Sequence, residues 1–107
     1  MKNLMGAIGG NRGRLHRSIA EPLVDINTVI HSDLTLIDAT RVLVANGPQG
    51  GRLDDVKVLD TFVASPDIVA ADTYGATLLG HRPEQVATIA AAKRGLGVMD
   101  LDKVKRV

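Results

Sequence analysis

DLTLIDATRVLVANGPQGGRLDDVKVLDTFVAS, residues 33–65, holds two short apolar runs separated by a stretch rich in Gly, Asn and Pro. In the first run, Leu34, Leu36 and Ile37 are too few for a helix and suit a buried strand that ends at Asp38. RVLVA after it fits either more strand or one helical turn. NGPQGG (46–51) breaks the pattern, with Pro and Gly at turn positions. The second run predicts a strand over 58–64.

Working outward, helical patterns flank both runs. Upstream, in SIAEPLVDINTVIH (18–31), Ile19, Leu23, Ile26 and Ile30 step by four, three and four along one helical face. Ser18 and Glu21 have capping-box spacing, while Pro22 competes as the first helical residue. Downstream, SPDIVAADTYGATLLG (65–80) predicts a helix with Ser65 as N-cap, Pro66 as first residue and Asp67 in the first turn. RPEQVATIAAAKRGLG (82–97) repeats that design, opening at Pro83 and Glu84 and closing at Gly95. VMDLDKVKRV at the end suggests a short edge strand. Helices alternating with strands predict an α/β fold with a short, largely parallel sheet and helices packed on it. Residues 1–107 then form a single, partial α/β domain, part of a larger one.

A chain of 107 residues allows one domain, and 45% apolar with 23% charged residues is ordinary globular composition. One Phe, one Tyr and no Trp leave a core of small aliphatic side chains, which predicts marginal stability or support from a partner surface. The formal charge is +1, yet Lys2, Arg12, Arg14 and Arg17 face no acid within the opening segment. Such a basic end can hold phosphate, nucleic acid or an acidic protein face, or simply stay solvated. The absence of aromatics interleaved with the cations argues against nucleic acid. Without cysteine, disulfides, thiolate zinc and cysteine-ligated iron–sulfur clusters are excluded within the chain. No run approaches membrane-spanning length and no signal-peptide core is present, so a cytoplasmic location is expected.

Candidate chemistry is sparse. Asp38 closes a predicted strand, where ligands of open α/β sheets collect, or else it caps the following turn. NGPQGG could present N–H groups to an anion but lacks the Walker A lysine. Asp67 and Asp72, five apart, fall on different helical faces. Asp72 lies among small apolar residues and, if buried, needs a partner such as Arg14 or His16. His16, His31 and His81 show no metal-ligand spacing, and G-x-S-x-G is absent.

Three segments together carry a family pattern: Lys2, Asn3 and Gly6 followed by His16; DLTLIDATRVLVANGP at 33–48; and S-x-D-x-V-A-x-D at 65–72. In this order they resemble the C-terminal half of the family called domain of unknown function 362. Many members are fused to ferredoxin-like modules, so the resemblance implies a redox association. Any iron–sulfur cluster would then be supplied by another domain or subunit. The chain departs from the pattern in lacking the N-terminal half with its Lys-Pro-Asn motif, and in Ile68, where the family has Pro. On this resemblance the opening loop follows a strand supplied elsewhere, and a missing half or a homo-oligomer covers the exposed edge. Two readings follow. One is a wall of an anionic small-molecule or cofactor site, with Lys2, Asn3, Arg14 and His16 on the anion and Asp38 and Asp72 orienting them. The other is a non-catalytic interaction or self-association module. No complete catalytic constellation marks the chain as an enzyme by itself.

Overall fold

The computed structural model describes residues Met1–Val107 as a mixed α/β chain. Both apolar runs are strands, β1 over Thr35–Leu43 and β2 over Val56–Ser65. They pair antiparallel, with Leu36 opposite Ala64, Asp38 opposite Phe62 and Val42 opposite Lys57. The expectation of a largely parallel sheet is therefore corrected: the sheet has two strands and is antiparallel. The physical reason lies in RVLVA and the connector. RVLVA mostly continues the strand, through Leu43. Parallel pairing needs a crossover of a dozen or more residues, usually a helix. Residues 44–55 hold only a 3-10 turn, Leu53–Asp55, and the Val44 N–H donates to the Asp55 carbonyl at 2.9 Å, turning the chain straight back.

Asp55 clamps that connector. Its carboxylate accepts from the Asn46 amide (3.1 and 3.0 Å) and from the Arg52 N–H (2.8 Å). The ladder is irregular between Ala39 and Arg41: Leu59 and Asp60 stand against Thr40 alone, and Asp60 adopts φ +46°. This is a β-bulge, which adds local twist.

Three α-helices accompany the hairpin: α1 over Ala20–Val29, α2 over Ile68–Leu78 and α3 over Ala87–Ala91. The Ser18–Glu21 capping box does not form, since Ile19 precedes α1 and no side chain caps it. Gly95 closes the third helical segment in the left-handed conformation (φ +96°), as its position predicts. The C-terminal residues make a 3-10 turn, Leu101–Lys103, rather than an edge strand. No helix is long and apolar enough to cross a membrane.

The core gathers Met1, Val24, Val69, Ala76, Ile89 and Ala92, flanked by Ile68, Val86, Leu96 and Met99. It joins the three helices, and α2 also covers the inner face of the hairpin around Ala39. Only 12 of 107 residues are buried, five of them alanines, so this core is small. On the outer face of the hairpin Leu36 and Phe62 are 68% and 71% exposed; Leu34, just ahead of β1, and Val58, beyond the bulge, are 58% and 64% exposed.

Candidate functional site

α2 starts two residues later than its sequence suggests. Asp67, not Ser65, is the N-cap: its Oδ1 accepts from the Val69 and Ala70 N–H groups at 2.8 and 2.9 Å. Ser65 serves the turn before, its Oγ accepting from the Asp67 N–H. Ile68 then occupies the first helical position, where proline is readily accommodated. The second carboxylate oxygen of Asp67 reaches the Val98 N–H at 2.8 Å, tying the C-terminal segment to the helix start. Gly97 permits this approach. A Cβ there would lie 2.8 Å from Val69 Cβ and collide with the Asp67 carboxylate.

At its other end α2 closes through Gly80 (φ +77°). The His81 N–H donates to the Ala76 carbonyl and the Gly80 N–H to that of Thr77, a Schellman closure. This brings His81 to the mouth of a groove of about 330 Å³ between β1, α2 and the 81–89 segment. Asp38, Asp72, His81 and Thr88 supply its polar wall, while Ile37, Val42, Val86 and Ile89 make much of the rest apolar.

Of the residues singled out in the sequence, Asp38 and Asp72 thus reach one groove. Asp38 Oδ1 accepts from both the N–H and the hydroxyl of Thr40, at 2.9 and 2.7 Å. These two hydrogen bonds hold its carboxyl below the ordinary Asp value. That contact is the local turn weighed for it above, and it stabilises the bulge. Asp72 Oδ2 lies 2.8 Å from the Met1 ammonium. Neither Arg14 nor His16 is its partner, because both sit on the exposed 3-10 turn Arg12–Ser18. Lys2 and Asn3 are likewise exposed, on the turn Lys2–Ala7. These four side chains make no hydrogen bond or ion pair and do not line the groove. Asp67 and Asp72 point apart, as their spacing predicts.

Two polar residues were not placed at a site by sequence reasoning. His81, weighed there only for metal-ligand spacing, carried a signal, since it directly follows the glycine that ends a helix. Asn27 carried a fainter one. It stands four residues after Leu23 on the inner face of α1, and it is 3% exposed.

The sequence model of a family described as domain of unknown function (DUF362) matches residues 1–77. A relative, the thylakoid-associated protein sll1697 of Synechocystis sp., is 30% identical over 102 residues. That match covers 88% of this chain and 31% of the relative. No solved structure matches. With most of its length under the family pattern, from the Lys2–Gly6 loop to the end of α2, the chain belongs to the DUF362 family.

Proposed function

We propose that the chain is a docking layer, without catalysis of its own, whose hairpin packs its outer face against further polypeptide of the family domain. The exposed pair Leu36 and Phe62, diagonal neighbours on the outer face of the hairpin, carries this reading. Exposed apolar neighbours on one face of a sheet mark a surface for another layer. The length of the Synechocystis relative supports it, because two thirds of that protein has no counterpart here. In this reading the chain corresponds to the C-terminal half of the family domain and works in the cytoplasm. The test is Leu36→Lys combined with Phe62→Lys, followed by binding of a hydrophobic-surface dye and by thermal unfolding. Dye binding should fall several-fold while the melting temperature stays within a few degrees, since both side chains are already solvent-exposed. Unfolding of the variant, or unchanged dye binding, would sink the proposal.

A second reading rests on four polar side chains left without hydrogen bond or ion pair beside the chain start. Here the chain forms one wall of an anionic small-molecule or cofactor site in a redox-associated assembly. Lys2, Asn3, Arg14 and His16 contact the anion, and another domain or subunit ligates any iron–sulfur cluster. Lys2→Ala and His16→Ala should then leave the fold intact and abolish binding of the anion, with inorganic phosphate as the calorimetric probe. Equal heats for wild type and both variants would reject it.

A further inference from the structure

β1 leaves one edge of the hairpin open. In a two-stranded sheet each strand turns about half of its N–H and C=O groups away from its partner. The Thr40 N–H is held by Asp38 Oδ1 at 2.9 Å; no other backbone group of residues 35–43 bonds outside the β1–β2 ladder. This edge is long: β1 has 9 residues, against about five or six for an ordinary strand. It contains neither Pro nor Lys, the residues that commonly protect an edge. The bulge lies on β2, where two residues oppose Thr40, so β1 itself runs unbroken. β2 is the poorer template, because that bulge and Lys57 interrupt it.

The groove of about 330 Å³ follows the open edge. Ile37, Asp38, Ala39 and Val42 of β1 line it, and no residue of β2 does. Ile37 packs towards α2 at Gly75, and Ala39 is buried on the same side. Asp38 between them belongs to the exposed face, opposite Phe62. A groove that touches all three residues therefore reaches round the edge of the strand. No Lys or Arg lines it, and its α2 wall is Gly75, Ala76, Leu78 and Leu79 beside Asp72. From Ile37 to Val42 the strand spans about 17 Å, enough for two or three inward side chains of a neighbouring strand at about 7 Å spacing. A row of unpaired backbone groups beside an aliphatic trough matches an extended strand. A small apolar molecule would fill the trough and leave the backbone row open.

We propose that a third strand, from polypeptide beyond this chain, pairs along the open edge of β1 and sets alternate aliphatic side chains into the groove. The inference rests on the docking-layer reading for its partner but not for its surface, since Leu36 and Phe62 lie on the opposite face. The probe is a nine-residue peptide alternating Val and Thr, with Lys added at both ends, titrated into the full chain by two-dimensional NMR. It should give saturable shifts across residues 35–43 and slow hydrogen exchange at alternate β1 amides. Two further peptides carry N-methyl groups on every Val or on every Thr, which blocks one edge of the peptide at a time. At least one of them should bind tenfold more weakly, the worth of several lost backbone hydrogen bonds. Leu36→Lys combined with Phe62→Lys should bind the parent peptide like wild type, so this test stands or falls separately from that of the outer face. Parent-like binding by both N-methylated peptides would mean that the groove takes apolar side chains without strand pairing, and overturns the proposal. No saturation by the parent peptide, or no slowed exchange in β1, overturns it as well. Tighter binding by a peptide of the chain's own residues 35–43 would make a second copy the occupant and overturn the choice of partner.

Discussion

Asp67 ties two distant segments of the chain together through one carboxylate. It caps α2 through two N–H groups and holds Val98, thirty-one residues on, through a third. Losing an N-cap of this kind costs about 1 kcal/mol, and the tether to Val98 adds about 1 kcal/mol more. Asp67→Ala should therefore destabilise the chain by about 2 kcal/mol, read as a lower urea midpoint with an unchanged slope. Asp67→Asn keeps one accepting oxygen and should lose roughly half as much. A change in Asp67→Ala below about 0.5 kcal/mol would mean that the helix start is held by packing alone.

At the scale of elements, the 44–55 connector explains both what the sequence made legible and what it hid. The strands themselves were readable, because Leu34, Leu36 and Ile37 were too few for a helix and 58–64 read as a second strand, although β1 runs past Asp38 to Leu43. Three helical segments were readable from their spacing and from Gly95, but their starts were not: α2 begins at Ile68 rather than Pro66, and Pro83 opens a separate 3-10 turn before the short α3. The relation between the strands was not. It depends on Asp55 reaching back to Asn46 and Arg52, a contact with no periodicity to announce it. The groove was half legible: Asp38 and Asp72 stood out as carboxylates, whereas His81 entered through the geometry of the α2 closure. Asp55 also gives the connector a pH response. The Arg52 N–H and then the Asn46 amide depress its folded-state pKa below the ordinary 3.8. A depressed carboxylate contributes stability that is fully present above its unfolded pKa and is lost as pH falls through the folded value. The connector should accordingly stay closed at neutral pH and loosen only below pH 3.8. Amide hydrogen exchange at Val44 and Arg52 would accelerate there, and Asp55→Asn should show less of the step. An acceleration that begins near neutrality would assign the clamp to another group.

For the whole molecule, the dimensions point the same way as the exposed face. The chain is a slab of 37 × 35 × 23 Å with a radius of gyration of 14.3 Å, against about 13 Å for a closed domain of this length. A two-stranded hairpin is marginal unless something packs on it, and α2 protects only its inner side. The outer side sets how strongly two copies can associate. Association costs about 4–15 kcal/mol in lost freedom, and Asp38, Arg41 and Lys57 interrupt the exposed apolar residues with charge. Self-association should therefore be weak, with a Kd between roughly 1 mM and 10 µM. Sedimentation equilibrium across that concentration range measures it directly. A nanomolar dimer would identify a second copy as the true occupant of the face and displace the docking-layer reading. A monomer throughout would remove the adhesive character on which that reading depends. Weak pairing, abolished by Leu36→Lys with Phe62→Lys, is the result expected of a surface shaped for a larger partner, one that can also pair with the free edges of β1 and β2.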